Sequence, residues 1–122
     1  MADILLIDDD MDMHAIVKFF LEYDDHTVTC VADGLEGLEY LRHNKSDLVL
    51  LDIAMPKMNG MEVLQNIQNE FGKQAPPVIF MTVFDRSQLS PNLNDTGCVG
   101  YIRKPVQFDQ FRHKLRTVLD KT

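Results

Sequence analysis

The chain has no tryptophan, only two cysteines, and no apolar stretch near the ~18 residues that a membrane span needs. Its richest apolar run, Ile16 to Leu21, is interrupted by Lys18. No secretory signal opens it either, since Asp3 and three more acids by position 10 stand where such signals are basic. Cys30 and Cys98 lie far apart, without a CxxC or a histidine at metal-ligand spacing. Both are read as small buried hydrophobes in a reducing cytoplasm. Basic residues are scarce as well: 12 Lys and Arg face 19 Asp and Glu, a formal net charge of −7. That balance argues against nucleic acid as a direct partner, because a phosphate backbone needs a basic face. A cation or a basic protein surface matches that charge better.

What the chain does have is short apolar runs that end in acid. Ile4-Leu5-Leu6-Ile7 runs into Asp8-Asp9-Asp10, and Leu48-Val49-Leu50-Leu51 runs into Asp52. Continuous runs of that length read as strands buried on both faces of a parallel sheet. Between and after them the apolar spacing changes to that of helices. Met13, Ile16, Val17, Phe20 and Leu21 stripe a first helix, which Asp10 or Asp12 can cap. Thr27 to Val31 alternates as a second strand, and Leu35, Leu38 and Leu41 stripe a second helix ending near His43-Asn44. Met61, Val63, Leu64, Ile67 and Phe71 mark a third helix that Gly72 stops. Pro77 opens a fourth strand, Val78 to Met81, and Val99 to Ile102 is a fifth. Val106, Phe108, Phe111, Leu115 and Leu119 stripe the final helix. With 122 residues, no repeat and no linker, the expectation is one α/β domain. Its architecture would be a doubly wound five-stranded parallel sheet, flavodoxin-like, (βα)5 in order 2-1-3-4-5.

In that order strands one, three, four and five are contiguous. Asp8 and Asp9, Asp52, Thr82 and Lys104 therefore converge at one sheet edge, beside the switch point where such sheets bind ligands. Carboxylates gathered there repel each other, at a cost of about 3 kcal/mol per pair at ~5 Å and an effective dielectric of ~20. A divalent cation relieves the repulsion, and hard oxygen ligands suit magnesium, which commonly takes one or two carboxylates and a phosphate. The lysine supplies a point charge for phosphoryl oxygens and the threonine a hydroxyl donor.

These residues resemble a known family. Asp52-Ile53-Ala54-Met55-Pro56-Lys57-Met58-Asn59-Gly60 is similar to the D-x-x-M-P-x-M-x-G loop of bacterial two-component response regulator receiver domains, and the whole resembles their single-domain, chemotaxis-regulator-like members. The Asp8-Asp9 pair, Thr82, Tyr101 and Lys104-Pro105 fall at that family's spacing, and the resemblance runs from about Asp3 to the chain's end. It implies that Asp52 is the phosphoacceptor, with a sensor histidine kinase or histidine phosphotransfer protein as donor. It implies magnesium held by the Asp9 and Asp52 carboxylates, by Asp8 through water, and by the Ile53 carbonyl. Lys104 would contact Asp52 and the phosphoryl group, Thr82 would bind a phosphoryl oxygen after transfer, and Tyr101 would switch from exposed to buried. A cis Lys104-Pro105 bond is expected, and Gly60 is expected to need a positive φ where the loop enters helix three. A downstream protein target would read the surface made by the helix between strands four and five, strand five and the final helix. The resemblance implies a phosphoacceptor signalling domain, monomeric or weakly dimeric, that catalyses only its own phosphorylation and dephosphorylation.

Plainer readings stand beside these. Strand-end aspartates are often helix caps, and Asp10 and Asp12 are taken as such. Tyr101 by itself reads as a half-buried aromatic. His26, His43 and His113 are taken as solvated, and His14, one turn past the acidic triplet, is not taken as a metal ligand. Lys114 and Arg116 are assigned to a wet helix face. An aspartate-nucleophile phosphatase typically shows D-x-D-x-T, whereas Asp52 is followed by Ile53-Ala54-Met55. A receiver excised from a longer regulator remains an alternative, although Met1 and the clean end after the last helix favour a free-standing protein.

Two expectations come from departures within this pattern. The segment 85–97 is poor in helix formers, so its helix is expected to begin late, with Ser90 as N-cap and Pro91 in the first position, leaving Val83 to Leu89 irregular. Val83, Ala54 and Phe84 replace the smaller or polar residues the family usually places around the acceptor, which predicts a phosphorylated form that is long-lived and poorly charged by small phosphodonors.

Overall fold

The computed structural model describes residues 1–55, 58–84 and 98–120. The five runs form strands β1 (Asp3–Ile7), β2 (Thr27–Val31), β3 (Leu48–Asp52), β4 (Val78–Thr82) and β5 (Cys98–Arg103). All pair in parallel, in the order β2-β1-β3-β4-β5. The helices are α1 (Met11–Tyr23), α2 (Gly34–His43), α3 (Gly60–Phe71) and α4 (Phe108–Leu119), with a short 3-10 turn at Gly72–Gln74. The late-starting helix expected in segment 85–97 lies outside the described residues. So do Pro56 and Lys57 of the loop that follows β3.

The two-residue period of the strands explains why the sheet is covered on both sides. Ile4, Leu6, Leu48, Leu50, Ile79 and Met81 face one way, into a core with Met13, Val17 and Leu21 of α1 and Phe111, Leu115 and Val118 of α4. Leu5, Ile7, Val49, Leu51, Val78 and Phe80 face the other way, against Leu38 and Leu41 of α2 and Val63, Leu64 and Ile67 of α3. β3 and β4 are buried at every position, as unbroken apolar runs require. β2 lies at one edge of the sheet and is only half-buried, in keeping with its alternating sequence.

Local chemistry sets the helix ends. Asp10, not Asp12, is the N-cap of α1: its side chain accepts from the Asp12 N–H at 2.9 Å. Asp33 caps α2 through the Glu36 N–H, and Asn59 caps α3 through the Glu62 N–H. Gly72 ends α3 with φ at 56°, a left-handed conformation that glycine adopts without steric cost.

Several sequence expectations are corrected by packing. Leu35 is not in the α2 stripe but stands 62% exposed, and Ile16 of α1 is 42% exposed. At 100° per residue each points well away from the mean direction of its helix's buried residues, Met13, Val17 and Leu21 in α1 and Gly34, Gly37, Leu38 and Leu41 in α2. Val106 precedes α4 and packs against the core from the connecting loop. His26 is not simply solvated, because its Nδ1 accepts the Ala2 N–H at 3.0 Å and burial holds its pKa below the usual value. Gly60 needs no positive φ. The constraint there is space: a Cβ at Gly60 would lie 2.6 Å from the Asp52 carbonyl oxygen and 2.7 Å from Ile53 Cα.

Candidate functional site

The sheet register assembles the site. Ile7 lies beside Leu51, and Asp52 beside Met81, so one step further along β1 brings Asp8 next to Asp52. Thr82 pairs with Arg103, which puts Lys104 just past the end of β5 on the same edge. The Lys104-Pro105 bond is cis, as expected. Asp8, Asp9 and Asp52 each offer a carboxylate oxygen, and these atoms lie within 4.8 Å of one another. Asp8 and Asp52 are buried and Asp9 is exposed.

Asp8 is the most tightly held of the three. Its N–H donates to the Val31 carbonyl at 3.1 Å, its Oδ1 accepts from Asp10 N–H at 2.9 Å, and its Oδ2 accepts from Lys104 Nζ at 3.0 Å. Lys104 also reaches Asp52, with Nζ 3.5 Å from Oδ2. Burial opposes the lysine's charge, but the Asp8 hydrogen bond and the two carboxylate charges outweigh it and hold its pKa above the ordinary value. For Asp52 the balance falls the other way. Burial first and then the charge of Asp8 push its carboxyl up to about 6, although Lys104 and the Ala54 N–H act to lower it. One ammonium does not neutralise two buried carboxylates and an exposed third. The remaining negative charge, on hard oxygen donors at metal-ligand spacing, fits a divalent cation of the magnesium type.

Around this centre the loops present specific donors. Asp52 Oδ1 accepts the Ala54 N–H at 3.2 Å. Thr82 is buried, and its Oγ1 accepts the Phe84 N–H at 3.0 Å, so its own hydroxyl hydrogen remains available to donate. The Ile53 carbonyl accepts the Gly60 N–H at 2.8 Å, which ties the loop after β3 to the start of α3. Tyr101 is half-buried, its ring stacked on Phe80 at 6.4 Å between centroids. Phe80 in turn lines the space above Gly60. Val83 and Phe84 are 58% and 43% exposed, and Ala54 is exposed too. His14, given no site role from the sequence, approaches the Asp8 carbonyl with Nε2 at 2.6 Å. Its spacing of six from Asp8 carried no recognisable signal, because the contact depends on the angle at which α1 leaves β1.

A parallel sheet of this order with acids, a hydroxyl and an ammonium at its C-terminal edge defines a doubly wound, flavodoxin-like domain with a polar site at its switch point. Residues 4–116 match the response regulator receiver domain, and the chain belongs to that family. It is 33% identical over 113 residues to the transcriptional regulatory protein CrdR of Helicobacter pylori, covering 93% of this chain and 53% of CrdR. It is 32% identical over 121 residues to the transcriptional regulatory protein ZraR of Klebsiella oxytoca, covering 99% of this chain and 27% of ZraR. The chain thus spans about half or less of the length of these curated relatives. Among solved structures, a CheY-like receiver domain protein from Methanospirillum hungatei superposes with a TM-score of 0.88 at 28% identity, covering 99% of this chain and 95% of that one. The response regulator TrrA of Thermotoga maritima, in complex with Mg(2+)-BeF, gives 0.82 at 28% identity and covers 97% and 99%. Two-component signalling is the setting of this family, with a histidine kinase as the general partner.

Proposed function

We propose that the chain is a single receiver domain whose Asp52 accepts a phosphoryl group from a phosphohistidine of a sensor kinase or phosphotransfer protein. The observation that carries this reading is the shared ammonium: Lys104 lies 3.0 Å from Asp8 and 3.5 Å from Asp52 beside an exposed Asp9. Asp8, Asp9 and Asp52 would hold magnesium, which when bound supplies charge neutralisation for phosphoryl oxygens. The Ile53 carbonyl has given one lone pair to Gly60 and has only the other to offer a cation.

An ionised Asp52 oxygen forms the new bond to phosphorus as the donor's N–P bond breaks. The electron pair of that bond stays on the donor's imidazole. Phosphoryl transition states are loose, so positioning and charge stabilisation supply most of the rate. Lys104 stabilises the transferring oxygens, and the Thr82 hydroxyl donates to one of them after transfer. That donation draws on a loop already tied to Thr82 through Phe84 N–H. Tyr101, through its contact with Phe80, is the residue of β5 that senses this loop. The surface of β5 and α4 then presents the change to a downstream protein in the cytoplasm, with the chain a monomer or weak dimer. Incubation with acetyl phosphate or phosphoramidate and magnesium, followed by intact-mass measurement, tests the reading. One added phosphoryl group that is lost in Asp52→Asn is expected; an equal gain in that variant overturns it.

A further inference from the structure

His14 lies in the first turn of α1, and its ring reaches back over the helix start to Asp8, the residue just after β1. Side chains on a helix lean toward its N-terminus, so a residue one turn in is well placed for this. A carbonyl oxygen only accepts, so Nε2 carries the hydrogen in the 2.6 Å contact with the Asp8 carbonyl. The other groups of Asp8 are also engaged: N–H with Val31, Oδ1 with Asp10, Oδ2 with Lys104. The His14 bond differs in what it holds. It fixes the peptide plane between Asp8 and Asp9, and that plane sets where the exposed Asp9 side chain begins.

We propose that His14 is a positioning residue for the acidic site, fixing the Asp8–Asp9 peptide so that Asp9 meets Asp8 and Asp52 at cation-binding distance. The inference rests on reading that cluster as a cation site. Groups that orient metal ligands from behind commonly matter about 10- to 100-fold in metal affinity. Here the second-layer group acts on a ligand's backbone, and a substituted donor of the same reach restores it. Gln places an N–H near the position of the imidazole Nε2, whereas Asn is polar but too short and Leu offers no donor.

Magnesium affinity of the full chain, by isothermal titration calorimetry, is compared for wild type, His14→Gln, His14→Asn and His14→Leu, with urea unfolding of each in chelator. His14→Asn and His14→Leu are expected to bind about tenfold more weakly, and His14→Gln within about threefold of wild type. A residue that only stabilised the fold would lower unfolding midpoints without separating Gln from Asn in metal affinity. Equal affinities in all four proteins, or a Gln variant as weak as Asn, overturn the proposal. If wild type binds magnesium but takes no phosphoryl group, the phosphoacceptor reading fails while the positioning role stands. If wild type binds no magnesium, the proposal fails with the cation reading.

Discussion

Lys104 is closer to Asp8 than to Asp52, donating to the first at 3.0 Å and standing 3.5 Å from the second. The lysine therefore has a structural task, because Asp8 is fully buried. Removing one partner of a buried ion pair leaves the other charge uncompensated. Lys104→Met is expected to lower stability by about 3 kcal/mol in chelator at pH 7.5 and to abolish phosphoryl uptake. Urea unfolding and intact mass read the two effects separately; unchanged stability would show that Asp8 does not depend on the ammonium.

Asp52 makes stability depend on pH in a definite direction. Its carboxyl titrates near 3.8 when unfolded and at about 6 in the fold. The raised value means that the folded state holds the proton more tightly. This contribution is fully present below pH 3.8 and is lost as pH rises through about 6. In chelator at pH 8, Asp52→Asn should thus be more stable than wild type by about 2 to 3 kcal/mol, and the gap should close below pH 4. Urea titrations of the two proteins across that range decide it.

The same charge excess predicts the metal response. Asp8, Asp9 and Asp52 should bind magnesium at sub-millimolar to millimolar strength, with little selectivity over manganese, since all donors are hard oxygens. Chelation should stop phosphoryl uptake while circular dichroism stays that of the folded chain. Full uptake in excess chelator would remove the cation from the account.

Phospho-Asp52 is expected to be long-lived. Ala54 and the Phe84 side chain cannot orient a water, and both stand exposed on the two loops that flank the acceptor. A water-orienting contact of ~1 to 2 kcal/mol corresponds to roughly 5- to 30-fold in hydrolysis rate. Ala54→Asn and Phe84→Glu, singly and together, should shorten the half-life accordingly. Decay followed by intact mass checks this, and an unchanged rate would place control elsewhere.

Arg112 ties α4 to the end of α1. It donates to both Asp24 oxygens at 2.8 and 2.9 Å and lies 5.2 Å from the Tyr23 ring centroid and 5.0 Å from that of Phe108. The Arg112 hydrogen bond holds the Asp24 carboxyl below its usual value. Its contribution is present above the unfolded pKa near 3.8 and fades as pH falls through the lower folded value. Arg112→Ala should lower the urea midpoint at pH 7, through lost packing on Tyr23 and Phe108 as much as through lost charge. The difference should narrow in acid, as urea unfolding at pH 3 would show.

Much of this molecule is determined by sequence alone. Runs such as Leu48–Leu51 have no polar residue to turn toward water and are too short for a buried helix, so they read as interior strands. Short connections and right-handed crossovers then leave few ways to order five of them. Acids placed immediately after such runs must fall at the sheet's C-terminal edge, and so Asp8, Asp9 and Asp52 were legible before any fold was seen. Tertiary structure decided what depends on distance and angle. It put Lys104 nearer Asp8 than Asp52, turned His14 back onto the Asp8 carbonyl, joined Arg112 to Asp24 across 88 residues, and left Leu35 and Ile16 outside the core. A spacing pattern tells which side of an element is apolar. How far the neighbouring element covers that side, and which polar atoms meet beyond it, depends on packing between segments remote in sequence.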